Sequence, residues 1–399
     1  MKKVLSFIVV CILFVTTVNC VSAAELGDEV QSGFTIVFNG NATDFSSVIF
    51  NDKHFVPMRK VFEMMGSLVF YRSSDKTVLI LSRDGDVITH VVGEGIITVN
   101  GEERRYDNPS FLVNNDTYIS IDMISAGMCP DRVFYENQQL HIEKNIVFNE
   151  HHKIITTVLE QAKNSDFYPE RFERYKNYYA KNQSLGVREA IYRVNLGLDL
   201  PFYESVSVIE HPYELLVLVN KQNQLPTGFK QYNLVEMDKK YTAQDGKEYL
   251  LASVTYEQYL KMCEAAEKDG LKIIVVSAYR TEDYQRNLYN KSVNSNGAEY
   301  ADEYSARPGH SEHQTGLAVD INSVYTSFEN TNEFKWLQKH AHEFGFILRY
   351  PKDKEWITGY AYEPWHYRYV GVDVANAIHH EGITYEEYYA KYINVNEFK

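Results

Sequence analysis

Three short segments bring together the side chains that a hydrolytic metal site needs: Ser277-Ala278-Tyr279-Arg280, Ser311-Glu312-His313-Gln314-Thr315-Gly316-Leu317-Ala318-Val319-Asp320, and Glu363-Pro364-Trp365-His366. Catalytic zinc typically takes three protein ligands, among them histidine nitrogen and carboxylate oxygen, and leaves one position open for water. His313, Asp320 and His366 would supply two imidazoles and one carboxylate. Glu363 lies three residues before His366, close enough to stand beside the open position without being a ligand. There it would take a proton from attacking water and return it to a leaving amine. Arg280 is suited to hold a substrate carboxylate in a bidentate fork, or to stabilise the oxygen that becomes anionic in a tetrahedral intermediate; both roles stay open. Ser277, Gln285 and Ser311 are hydrogen-bonding candidates for orienting substrate.

Separate elements must position these groups. Gly316 permits a turn, and residues 317–321 read as a strand that returns Asp320 beside His313, whereas a continuous helix would set the two residues two turns apart. Pro364 argues against a regular helix through the third segment, so the arrangement differs from a single HExxH helix. His366 must come from a neighbouring element. Around the motifs, apolar strands are expected at 215–219 and 271–276 and helices at 254–268 and 282–291, giving an α+β domain over 205–399. Residues 188–203 read as a connection. His310 is expected to line the pocket or stabilise a loop, and Glu312 to be a solvated neighbour of the metal ligand. Phe334, Trp336, Phe344 and Phe346 read as core, and the acidic, Tyr-rich stretch 385–392 as a cap.

The first half has a different grammar. Between 30 and 145, short β-branched and aromatic runs at 34–38, 69–71, 78–81 and 87–92 alternate with Asn, Asp and Gly turns. Asn51-Asp52-Lys53-His54-Phe55-Val56 is answered about 63 residues later by Asn115-Asp116-Thr117-Tyr118-Ile119, and Val69-Phe70-Tyr71 by Val133-Phe134-Tyr135. Two such copies imply a small strand-rich domain built by duplication. His54, His90 and His141 read as ordinary strand or loop residues. Residues 146–204 turn helical, as a linker or spacer.

The chain has 399 residues, long for one hydrophobic core, and its formal charge of −14 argues against nucleic acid or anionic lipid as the main partner. Met1-Lys2-Lys3, an apolar run over 4–18 and Val21-Ser22-Ala23-Ala24 form the pattern of a secretory signal peptide over 1–23. Beyond that segment only Cys129 and Cys263 remain, too few for a disulfide framework. Neither lies in a cysteine–histidine cluster, so a thiolate nucleophile has little support.

The motif SxHxxGxAxD at 311–320, the later ExxH at 363–366 and the preceding Ser-Ala-Tyr-Arg resemble the VanY-type D-alanyl-D-alanine carboxypeptidases over roughly residues 210–385. The resemblance implies a hedgehog-like, D-Ala-D-Ala-peptidase-like zinc fold with one zinc ion on His313, Asp320 and His366. It further implies Glu363 as catalytic base, and Arg280 as the residue that stabilises substrate or transition state. The implied substrate is the terminal D-Ala-D-Ala bond of a peptidoglycan stem peptide, outside the cytoplasmic membrane and by a route that is not serine-type. An L-Ala-D-Glu endopeptidase of the same fold and a non-enzymatic wall-binding protein are the alternatives. The segment 55–71 resembles the domain at the N-terminus of some copper amine oxidases, with Ser120 and Asp122 departing from Pro57 and Arg59 in the second copy. That name implies no copper here; contact with cell-wall polymer is the expectation for this domain.

Overall fold

The computed structural model describes residues 30–128, 130–145 and 149–394. The signal-peptide reading at 1–23 and Cys129 lie outside them. The chain divides into two units, with the boundary between Gln183 and Ser184, inside the stretch read as a spacer.

In the first unit, strand-length apolar runs closed by Asn and Gly turns form two sheets. One copy of the repeat runs as strand Lys53–Pro57, helix Met58–Met64 and strands Leu68–Arg72 and Thr77–Leu81. The other runs as strand Asp116–Ser120, helix Ile121–Met128 and strands Arg132–Glu136 and Gln139–Glu143, in the same order. The leading strands of the two copies pair antiparallel, Val56 opposite Ile119. They lie within a seven-stranded sheet, and the strands between Leu68 and Arg105 form a five-stranded antiparallel meander. Val56, Val61, Phe62, Ile80, Ile88, Ile97, Ile119 and Met123 share one apolar core. Helices Glu150–Leu159 and Phe172–Lys181 complete the unit. Asn149 caps the first by accepting from the His152 amide, and Lys176 donates to the Gly85 carbonyl at 3.0 Å.

The second unit is built on a four-stranded antiparallel sheet whose spatial order is Val275–Ser277, Ala318–Ile321, His366–Tyr369, Phe346–Leu348. Side chains alternate along a strand, so Val319, Ile321, Tyr367 and Tyr369 enter the apolar core. There they meet Tyr259, Met262 and Cys263 of helix Ser253–Lys268 and Phe334 and Leu337 of helix Asn332–His340. Asp320, His366 and Arg368 occupy the intervening positions and point to the other face. Phe334, Trp336 and Phe346 are core residues and Phe344 packs against them, as their apolar spacing suggests. The architecture is α+β, with a smaller strand-rich unit preceding the site-bearing one.

Four local readings are corrected. Residues 215–219 form no strand: Val217 and Val219 are buried, but the Leu215 and Val217 carbonyls accept hydrogen bonds from Arg368 rather than from a ladder. In the 271–276 run only Val275 and Val276 are in a strand, because the Ile274 amide donates to the Asn322 side chain. Residues read as a connection from 188 contain helix Val187–Asn195, whose Ala190, Ile191 and Val194 make a buried stripe at helical spacing. Helix Glu282–Asn296 extends beyond the expected 291.

Candidate metal centre and active site

Cross-strand register brings the distant motifs together. Ser277 lies opposite Asp320, and Asp320 opposite His366, in one row across three neighbouring strands. His313 arrives from a short 3-10 turn, Glu312–Thr315, closed by Gly316 at φ +69°. A side chain at Gly316 would be strained in this left-handed conformation, and its Cβ would stand 2.9 Å from the Ala252 nitrogen. This turn, followed by strand Ala318–Ile321, returns Asp320 to His313 as the sequence implies. Glu363 and Pro364 lie outside any helix, immediately before strand His366–Tyr369.

His313, Asp320 and His366 are buried, and one ligand atom from each lies within 4.8 Å of the others. Asp320 Oδ1 is 3.4 Å from His313 Nε2 and 3.2 Å from His366 Nδ1, yet it has no well-formed hydrogen-bond partner. Metal–ligand lengths of about 2.0–2.2 Å in a tetrahedron place neighbouring ligand atoms roughly 3.4 Å apart. The two measured edges match that spacing, and the orphaned carboxylate oxygen is what a cation would satisfy. No similar cluster occurs among the described residues of the first unit.

The remaining ring nitrogens are held in place. His313 Nδ1 donates to the Ala278 carbonyl at 2.7 Å, leaving Nε2 as the lone-pair atom. His366 Nε2 donates to Glu312 Oε2 at 3.3 Å, leaving Nδ1 to face Asp320. Metal-binding histidines are typically oriented in this way through their second nitrogen. Burial, with Arg280 nearby, lowers the His313 pKa to about 4, so this imidazole is neutral. Burial would also lower that of His366, but the carboxylates of Asp320 and Glu312 beside its nitrogens raise it to about 9.

Glu363 Oε2 stands 3.6 Å from His366 Nδ1, and its side chain is 13% exposed. Burial pushes its pKa up to about 7, against the opposing effect of His366. Arg280 donates through Nη2 to Asp320 Oδ2 at 2.7 Å and to Ser277 Oγ at 2.8 Å, through Nε to the same Ser277 oxygen at 3.0 Å, and through Nη1 to Gln285 Oε1 at 3.3 Å. A guanidinium carries five N–H donors, so one Nη1 hydrogen remains uncommitted. Ser277 and Gln285 thus touch Arg280, and Gln285 is anchored by donating to the Ala306 carbonyl at 2.8 Å. Ser311 is buried at the start of the His313 turn. His310 is buried, with Nδ1 2.7 Å from the Asn220 carbonyl, and takes no place in the ligand cluster.

One residue in the motif is misread from sequence. Glu312 is 1% exposed rather than solvated. Its Oε1 accepts from Arg349 Nε and from Arg368 Nη1, each at 2.8 Å. Burial would raise its pKa, but these two guanidiniums outweigh that effect and hold the carboxyl well below the usual range. Arg349, Arg368 and Glu386 were not singled out at all. They lie 37, 56 and 74 residues from Glu312, and no spacing rule links charges so far apart. The one available signal is that Glu312 sits inside a motif whose other members are buried.

A family described as D-alanyl-D-alanine carboxypeptidase (VanY) matches residues 248–372, and one described as copper amine oxidase N-terminal domain matches residues 37–142. The putative carboxypeptidase YodJ of Bacillus subtilis (strain 168) is 40% identical over 201 residues, spanning 48% of this chain and 73% of that protein. The bifunctional D-Ala-D-Ala dipeptidase and D-Ala-D-Ala carboxypeptidase VanXYC of Enterococcus gallinarum is 36% identical over 184 residues, spanning 44% of this chain and 93% of that one. Among solved structures, that of the LdcB LD-carboxypeptidase is similar at 38% identity and a TM-score of 0.45, covering 47% of this chain and 91% of that one. With relatives of 36–40% identity matched over most of their length, the chain belongs to the D-alanyl-D-alanine carboxypeptidase (VanY) family.

Proposed function

We propose that this chain is a zinc-dependent D-alanyl-D-alanine carboxypeptidase that removes the terminal D-Ala from peptidoglycan stem peptides. The observation that carries this reading is the convergence of His313, Asp320 and His366 at metal-ligand spacing, with Glu363 beside the cluster. The substrate follows from the relatives, whose names specify D-Ala-D-Ala chemistry.

His313 Nε2, Asp320 Oδ1 and His366 Nδ1 would hold the ion. Zinc bound there would polarise the scissile carbonyl and acidify a water molecule at neutral pH. Glu363 is the general base: it takes the water's proton on its carboxylate and delivers it to the departing D-Ala amine. A carboxyl raised toward neutrality suits both directions of transfer. Arg280 has most of its donors committed to Asp320, Ser277 and Gln285, and this favours single-point stabilisation of the developing oxyanion over a bidentate grip on a carboxylate. Ser277 and Gln285 hold that guanidinium at the substrate, and Ser311 lines the subsite.

The charged start, apolar run and small-residue site of residues 1–24 support export to the cell surface or beyond, where the substrate lies. No described helix is long and apolar enough to cross a membrane. The first unit would position the enzyme on cell-wall polymer. A binding assay of the full chain carrying Glu363→Ala on purified wall tests this, and equal binding after replacement of exposed residues of the first unit would refute it.

The decisive experiment measures free D-alanine released from a peptide ending in L-Lys-D-Ala-D-Ala by zinc-loaded wild type and by Glu363→Ala. Release that collapses in the variant while zinc stays bound supports the reaction and the base together. A tetrapeptide ending in L-Lys-D-Ala and a C-terminally amidated pentapeptide separate the exopeptidase from neighbouring specificities. Cleavage of only an internal L-Ala-D-Glu bond would favour the endopeptidase, and no cleavage would favour the binding protein.

A further inference from the structure

We infer that Glu312 is a positioning residue for metal ligand His366, and that its carboxylate is fixed by a buried charge relay running through Arg349 to Glu386 in the C-terminal helix Tyr385–Tyr388. The inference rests on the metal-centre reading above and extends it to residues remote from the cluster.

All four charged groups are withdrawn from water. Glu312, Arg349 and Arg368 are 0–1% exposed, and Glu386 is 5% exposed. Arg349 holds Glu386 in a two-point fork, Nη1 to Oε2 at 2.9 Å and Nη2 to Oε1 at 2.7 Å, and turns its Nε to Glu312 Oε1. Arg368 donates to the same Glu312 oxygen and is anchored on the Leu215, Val217 and Tyr369 carbonyls. Two carboxylates therefore balance two guanidiniums, and Glu312 Oε1 is saturated. Oε2 is left to accept from His366 Nε2.

A buried ion network of this kind contributes little net stability compared with well-packed apolar residues, because desolvation of each ion offsets the attraction. Its geometric consequence is specific. With Oε1 clamped from two sides, Oε2 holds the proton of His366 on Nε2 and directs Nδ1 toward Asp320 Oδ1, 3.2 Å away. The other tautomer, with the proton on Nδ1, would present an N–H to the ion. Loss of such an outer partner typically lowers metal affinity by about 10–100-fold.

Zinc affinity of the full chain, measured by chelator competition, tests the relay in wild type, Glu312→Gln and Glu386→Gln. Thermal melting of the metal-free proteins and the visible spectrum of the cobalt-substituted forms are recorded alongside. The expected result is about 10–100-fold weaker zinc binding by Glu312→Gln, a smaller loss for Glu386→Gln, an altered cobalt spectrum, and a KM close to wild type in zinc-saturated protein. Unchanged zinc affinity and an unchanged cobalt spectrum in Glu312→Gln, whatever happens to its melting temperature, would make the glutamate a structural ion only and overturn the inference. Should Glu312→Gln fail to fold, Glu386→Gln decides: wild-type zinc affinity there removes the relay. If wild type itself takes up no zinc, the metal-centre reading fails first and the inference with it.

Discussion

The two units bury polar groups by opposite rules. Among the described residues of the first unit, the buried polar side chains are serines, a threonine and two histidines, none of them Asp, Glu, Lys or Arg. The second unit buries Lys221, Glu312, Asp320, Arg349, Arg368, Glu386 and Glu387. Burying charge is costly unless it is paired or bound to metal, so a unit that does so repeatedly is organised around something other than its own stability. Two histidines make the contrast concrete. His90 of the first unit has both nitrogens engaged, Nδ1 with the Ile96 carbonyl and Nε2 with Ser110 Oγ, each at 2.7 Å. His313 spends one nitrogen on Ala278 and keeps the other facing a partnerless carboxylate oxygen. A satisfied histidine is a core residue; a half-satisfied one beside an orphaned carboxylate is a ligand.

The largest test of this contrast is removal of the metal. Stripping zinc with a chelator abolishes D-alanine release, one equivalent restores it, and His313→Ala makes the loss permanent; retained activity in metal-free protein would erase the distinction between the units. Next, Arg280→Met lowers kcat by about 10²–10³-fold with a small change in KM, as loss of one oxyanion donor does. A rise in KM alone would instead return Arg280 to the carboxylate-binding role.

The converse substitution lies in the first unit. His90→Ala removes the Nδ1 partner of the Ile96 carbonyl and leaves Ser110 Oγ with the Gly93 amide alone; it costs roughly 1–3 kcal/mol, read from denaturant unfolding, while specific activity of the folded protein is unchanged. The smallest effect concerns a histidine outside the metal centre. His342 stacks on His379 with ring centroids 3.6 Å apart, and burial, with His379 beside it, lowers its pKa. A histidine depressed in the fold contributes stability above its unfolded pKa of about 6.5 and loses it as pH falls. Wild type therefore loses more stability between pH 7.5 and pH 5.5 than His342→Gln does, measured by urea midpoints at each pH; equal losses would remove His342 from the acid sensitivity.

Local patterns were the legible part. Gly316 announced the turn that returns Asp320, Pro364 argued against a helix before His366, and the repeat beginning at 51 announced two copies, which fold in the same strand–helix–strand order. Each is a statement about neighbours along the chain, where backbone sterics and side-chain alternation act directly. Most failures occurred where a residue's partner was distant, whereas the missed helix Val187–Asn195, with its apolar stripe at helical spacing, was a local one. The apolar run 215–219 looked like a strand until Arg368 claimed its carbonyls, and Glu312 looked solvated until Arg349 and Arg368 enclosed it.

From sequence alone came the identity of the chemistry: two imidazoles, two carboxylates and a guanidinium in an order shared with a peptidase family. Tertiary structure alone decided which nitrogen of each imidazole faces the cluster, how few donors Arg280 has left, and that Glu312 belongs to the interior. The reason is physical. Residue type sets which bonds a side chain can make, but hydrogen bonds have a reach of about 3 Å, and only strand register and packing determine which groups come within it.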